Sequence, residues 1–230
     1  MIKENIQSIR KQIQQAALAA NRNPDEILLC AATKMNDADA VRQAIAAGVD
    51  CCGENRVQEL TVKLAQDAYV GAPVHFIGHL QTNKVKQVVG KVNLIQSVDS
   101  LRLLEAIQKE AQKQDLVQEI LLEVNIGREA SKSGFLPEEI PQICEKMSAF
   151  PNIRVKGLMA IPPNSTIFGK NREFFQEMCN LSVDITTKKY DNVLVDILSM
   201  GMSDDFADAI ACGSTMVRIG TAIFGPRDYR

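Results

Sequence analysis

Four short stretches hold residues able to do chemistry together. Lys34 closes the run Ile27-Leu28-Leu29-Cys30-Ala31-Ala32-Thr33-Lys34, apolar almost throughout until its single amine. Desolvation at the mouth of a buried strand would lower that lysine's pKa and free a neutral amine to attack an aldehyde or ketone. Ser199-Met200-Gly201-Met202-Ser203 sets a glycine between two hydroxyls just before a helix. Backbone N–H groups and side-chain donors can converge there on an anion. Gly220-Thr221 brings the same elements after the next strand, and Arg218 sits inside that strand between Val217 and Ile219. A buried arginine needs a specific acceptor. A Schiff-base lysine, a phosphate cradle and an arginine beside it fit pyridoxal 5'-phosphate (PLP), with a partner each for aldehyde, phosphate and ring nitrogen. An arginine facing the pyridine nitrogen keeps it unprotonated, which weakens the ring as an electron sink and disfavours wide-ranging carbanion chemistry.

Other polar residues have plainer readings. Asn55, in Gly53-Glu54-Asn55-Arg56, is by itself a turn residue or helix cap, and Glu54 and Arg56 read as a pair across that turn. His75 lies within a strand as a satisfied wall residue, while His79 falls between surface and pocket rim. Asn125 ends another strand. The six cysteines, at 30, 51, 52, 144, 179 and 212, are scattered, mostly through apolar runs. The adjacent pair fits neither a zinc knuckle nor a redox motif, so all read as reduced, small hydrophobes, with no metal ligands.

These residues need a scaffold that brings strand ends together. The lysine run suits a central strand of a parallel sheet covered on both faces. Further strands are expected at 49–52, 74–77, 92–98, 120–124, 155–159, 194–198 and 216–219. Helices are expected between them, at 38–47, 57–65, after 81, at 101–114, from 137 and at 171–187, with a short one from 204 or 205. An amphipathic helix over about 2–20 precedes them, with Ile6, Ile9, Ile13, Ala16, Ala17 and Ala20 in helical spacing. This unbroken alternation in 230 residues has the size of a (β/α)₈ TIM barrel, an α/β fold, and no linker divides residues 1–230. A doubly wound open sheet is the rival, but it would usually offer a glycine-rich loop after the first strand, where this chain has Lys34. In a barrel the chemistry collects at the C-terminal ends of the strands, and the loops after strands seven and eight bind phosphate.

The net charge of −2 and the lack of a basic run argue against nucleic acid as a partner. No apolar stretch suits a membrane span or a signal peptide, so the expected location is cytoplasmic.

Longer stretches carry a resemblance. Ala32-Thr33-Lys34, 53–59 (Gly-Glu-Asn-Arg-Val-Gln-Glu), 75–84 beginning His75-Phe76-Ile77-Gly78, Ser131-Lys132-Ser133-Gly134, 157–162, 198–204 and 213–225 resemble the pyridoxal-phosphate homeostasis proteins. That family's fold is a single barrel similar to the N-terminal domain of alanine racemase. The resemblance implies that Lys34 forms the Schiff base, that Arg218 faces the pyridine nitrogen, and that Ser199, Gly201, Gly220 and Thr221 are phosphate-loop positions. It also implies that Met200 and Asn55 line the cofactor. One departure is Met35-Asn36-Asp37 after the lysine, where the family often has a proline; this bears on the shape of the first loop.

The implied function is reversible holding and delivery of PLP, with PLP-dependent apo-enzymes as partners, a monomeric state and no turnover of its own. A small amino-acid racemase, or a Schiff-base aldolase acting through Lys34, is the alternative. A racemase needs a second base, which in alanine racemase a tyrosine from a separate domain supplies. This chain ends at Asp228-Tyr229-Arg230 soon after strand eight, and the spacing of Tyr69 and His79 does not require either as that base.

Overall fold

Eight parallel strands close into a barrel in chain order, each hydrogen-bonded to the next and the last to the first. The computed structural model describes residues 1–163 and 169–225; the tail from Asp228 lies outside them. The strands are β1 (Leu28–Ala32), β2 (Cys51–Glu54), β3 (Val74–Phe76), β4 (Leu94–Val98), β5 (Gln118–Val124), β6 (Ile153–Ala160), β7 (Val193–Ser199) and β8 (Met216–Ile219). The helices around them are α1 (Ile2–Ala19), α2 (Ala38–Ala46), α3 (Val57–Ala65), α4 (Leu101–Lys113), α5 (Ile140–Glu145), α6 (Arg172–Lys188), α7 (Phe206–Ala211) and α8 (Thr221–Phe224).

Local chemistry accounts for these elements. Every residue of β2, β4 and β8 is buried, the pattern of strands with helices on one face and the barrel interior on the other. Asp37 caps α2 by accepting from Ala40 N at 2.8 Å, and Ser100 caps α4 through Leu103 N at 3.3 Å. Ile6, Ile9, Ile13 and Ala17 form the buried stripe of α1, which packs on α7 and α8 and ties to α8 through Asn5 Nδ2, 2.8 Å from Ile223 O.

Three elements differ in place or type from the sequence expectation. The second strand lies at 51–54 rather than 49–52, because Gly53-Glu54 continues the ladder instead of turning. The segment with Lys84 and Lys86 is a 3₁₀ helix, Thr82–Gln87, and Pro137–Glu139 forms another before α5.

The main core lies between sheet and helices, where Leu29, Ala31, Phe76, Ile95 and Val217 meet α1 to α7. Two smaller clusters fill the barrel interior. Cys30, Cys51 and Met216 form one, Leu94, Leu121 and Met159 the other, and Ile197 touches both.

Candidate functional site

Side chains alternate along a strand, so Leu28, Cys30 and Ala32 share the interior face of β1. The ladder continues one residue past β1, with Thr33 N donating to Gly53 O at 2.9 Å. Lys34 comes next on the interior parity, half-buried at the strand's C-terminal end. Thr33 faces the other way, and its hydroxyl lies 3.0 Å from Glu54 Oε2 behind the sheet.

Glu54 is fully buried and organises that wall. It accepts from Lys63 Nζ at 2.6 Å, from Tyr69 Oη at 3.2 Å and, through Oε1, from Asn55 N at 2.8 Å. Lys63 also donates to Thr33 O at 2.8 Å. The residues before Lys34 and at Asn55 are thus tied to one ion pair. Glu54 does not pair with Arg56, as the sequence suggested; Arg56 reaches Glu59 at 3.5 Å. Burial, and then the Glu54 charge, push the Tyr69 phenol well above its ordinary pKa, so it is a structural donor rather than an acid–base group.

Asn55 stands half-buried at the rim. Its Oδ1 is buried with no hydrogen-bond partner among the described residues. The loop after β3 presses on it: a Cβ at Gly78 would overlap the Asn55 carbonyl, so only glycine allows the approach. Gly78 O in turn accepts from Ser97 Oγ on β4 at 2.5 Å.

Across the mouth, Arg218 of β8 is only 5% exposed and points inward. Its Nη1 donates to Ser199 O at 2.8 Å and Ser199 Oγ at 2.6 Å, and its Nη2 to Ala160 O at 3.0 Å. Ser199 Oγ donates onward to Gln96 Oε1 at 2.7 Å. The Ser199 hydroxyl, read from sequence as part of a phosphate loop, is therefore engaged by Arg218 and Gln96. Burial lowers the Arg218 pKa. Burial also raises the Glu123 carboxyl to about 7, the Asp99 charge adding to the shift while Arg218 and His79 oppose it. His79 Nδ1 sits 3.1 Å from Asp99 Oδ2 at the outer rim.

The loops after β7 and β8 converge. Ser203 Oγ and Thr221 Oγ1 lie 3.4 Å apart on the exposed side. Met200 between those loops is fully buried, its side chain in the core between sheet and helices. Gly201 adopts φ +93° with its carbonyl accepting from Arg218 N at 3.0 Å, and a Cβ there would come within 2.6 Å of Ala209 Cβ. Gly220 lies beside Ala32, so this loop borders the strand that ends at Lys34. Asn125 is spent on its own loop, donating to Glu129 O at 2.9 Å and accepting from Glu129 N at 3.1 Å.

The barrel mouth thus gathers Lys34, Asn55, Arg218, Thr221 and the Met200–Gly201 turn. Sequence reasoning passed over Glu54 with Lys63, Gln96 and Glu123. For Glu123 a signal was available: a carboxylate inside the apolar run Ile120-Leu121-Leu122-Glu123-Val124, one residue before its end. The residues present fit PLP. A buried unpartnered acceptor at Asn55, a buried guanidinium held by uncharged groups and two hydroxyls side by side leave contacts open for a polar ligand of that size.

Comparison with known proteins agrees with this class of site. Residues 2–228 match the family "Alanine racemase, N-terminal domain", and the chain belongs to it. Within it the chain belongs to the pyridoxal phosphate homeostasis proteins. It is 40% identical to the pyridoxal phosphate homeostasis protein of Pseudomonas aeruginosa, over 99% of this chain and 96% of that one. It is 41% identical to that of Aquifex aeolicus, over 98% of each. Among solved structures, PipY of Synechococcus elongatus with PLP bound is 30% identical, with a TM-score of 0.82 over 98% of this chain and 100% of that one. An alanine racemase of Clostridium difficile shares the fold at 17% identity and TM-score 0.71, and this chain covers 56% of it.

Proposed function

We propose that this protein binds PLP reversibly and serves intracellular PLP homeostasis, holding and delivering the cofactor without substantial turnover of its own. PLP brings an aldehyde, a phosphate and a pyridine nitrogen, and each has a counterpart at the mouth. Lys34 supplies the amine that holds the aldehyde. Gly201, Gly220 and Thr221 receive the phosphate, with Ser203 beside Thr221. Arg218 faces the ring nitrogen, seated by Ser199, and Asn55 and Met200 line the ring. Arg218 is the observation that carries this reading: among the described residues its buried charge is hydrogen-bonded to uncharged groups, and it points into the interior that Lys34 borders. A neutral pyridine nitrogen suits that neighbour, and it leaves the ring a weak electron sink. The homeostasis names of relatives that this chain matches end to end support the wider role.

The protein works in the cytoplasm, as a monomer; among the described residues no helix is long and apolar enough to cross a membrane, and a closed sheet offers no free edge for pairing. PLP-dependent apo-enzymes are the recipients of the cofactor.

The test is the absorption spectrum of the purified protein and of Lys34→Ala, followed by borohydride reduction and peptide mapping. The expected result is a yellow protein whose label maps to Lys34, which is inert with a panel of L-amino acids and transfers PLP to an apo-enzyme. A protein that stays colourless with added PLP overturns the reading, and racemisation of an amino acid replaces it with an enzyme.

A further inference from the structure

Two thiols, an imidazole and a thioether meet inside the barrel, four residues back along β1 from Lys34. Cys30 and Cys51 are register partners on β1 and β2, so their side chains leave the sheet on one face. His75 of β3 pairs with Gly53, and that glycine leaves the gap open: a Cβ there would come within 2.9 Å of Cys30 Sγ. The two Sγ atoms and a ring nitrogen of His75 all lie within 4.8 Å of one another, and all three side chains are buried. Met216 belongs to the same buried cluster as both cysteines. Gln96 Nε2 lies 3.0 Å from His75 Nδ1 and 3.2 Å from Met216 Sδ, holding ring and thioether together.

We propose that Cys30, Cys51 and His75 form a binding site for a thiophilic d¹⁰ cation, Zn²⁺ in the first place, with Met216 Sδ beside the fourth position. Thiolate, imidazole and thioether are the soft donors that select such ions over Mg²⁺ or Ca²⁺. Binding releases the two thiol protons to solvent, and the two thiolates then cancel the dication, so no net charge is added to the interior. Gln96 Nε2 donates to His75 Nδ1, which leaves the ring proton on Nε2; ligation through Nε2 moves that proton to Nδ1 and turns the Gln96 amide to accept it. The reading of these cysteines as small hydrophobes fits Cys52, which faces the helices instead. It leaves unexplained why two thiols and a ring nitrogen converge on one point.

Co²⁺ and Zn²⁺ test the site under reducing conditions, on the purified chain and on chain refolded with the metal, since the site is closed. The expected result is one equivalent of Co²⁺ with a thiolate-to-metal charge-transfer band, displaced by Zn²⁺. X-ray absorption should show sulfur ligands at about 2.3 Å. Cys30→Ser and Cys51→Ser should each weaken binding beyond the roughly 10–100-fold that loss of an outer partner costs, whereas Cys212→Ser should not. If the serine variants fail to fold, the wild type still decides: Zn²⁺ and not Mg²⁺ should raise its unfolding temperature, in the presence or absence of PLP. Absence of stoichiometric binding by both preparations, a shell without sulfur, or a band that survives in both serine variants overturns the proposal. Because the readout needs no PLP, its failure leaves the PLP reading standing.

Discussion

On the β1–β2 side of the mouth, Lys34 follows a backbone fastened from behind by a buried carboxylate–ammonium pair, Glu54 and Lys63 at 2.6 Å. On the β7–β8 side, Arg218 is itself the buried charge, and carbonyls and a hydroxyl hold it, with no ion pair among the described residues. In the first wall charge is neutralised out of sight, so its value is structural. In the second it is left open toward the interior, so its value is realised when a ligand arrives. Stability and cofactor affinity should therefore separate when the two walls are altered.

The largest effect expected is at the first wall. Glu54→Ala leaves the buried Lys63 with only the more exposed Glu59, 3.4 Å away, which should cost about 3 kcal/mol in denaturant unfolding. The double variant Glu54→Leu/Lys63→Met should recover most of that loss, because no buried charge is orphaned and Glu59 keeps Arg56 at 3.5 Å. Equal losses in single and double variants would show that the ion pair is not what holds this wall.

Glu123, between the walls, makes stability depend on pH. Its folded pKa is raised to about 7 from an ordinary 4.5, so the folded state keeps a proton that the unfolded chain gives up. Stability should then fall as pH rises through that window, by up to about 3 kcal/mol, and stay low above it. Glu123→Gln should lack this fall in thermal unfolding scanned against pH. A wild type as steep as the variant would remove Glu123 from the account.

Arg218→Met should reverse the pattern of Glu54→Ala. PLP affinity in a spectral titration should drop by about 2 kcal/mol, near 30-fold, with a smaller change in stability than at Glu54. Smallest is Thr221→Val, which removes one hydroxyl from the loop after β8 that is proposed to receive the phosphate. A loss near 1 kcal/mol, about fivefold in PLP affinity, is expected with unfolding unchanged.

Much of this molecule is legible in its sequence, for physical reasons. Strand β8 and helix α3 fall where their apolar patterns put them, at Met216–Ile219 and Val57–Ala65. Lys34 and Arg218 stand out because a charge within or ending an apolar run has few explanations. Glu54 and Lys63 were hidden for the opposite reason: charges nine residues apart look like surface polarity until packing buries them together. Cys30, Cys51 and His75 were read as unrelated, since no spacing motif links them. Strand register and parity bring them together, and neither is visible before the barrel closes. Glu54 shows how β2 was misplaced as well: Gly-Glu-Asn reads as a turn, yet its first two residues are strand.

Gly78 carries a consequence for motion. Its missing side chain lets the Asn55 carbonyl rest against the neighbouring loop, while Ser97 pins Gly78 from the other side. The loops after β2 and β3 cannot slide past each other without parting that backbone contact. They form one cooperative unit in the sense of local unfolding, and their amides should exchange with solvent together. A ligand that engages Asn55 would then slow exchange in both loops, including residues of the second that it never touches.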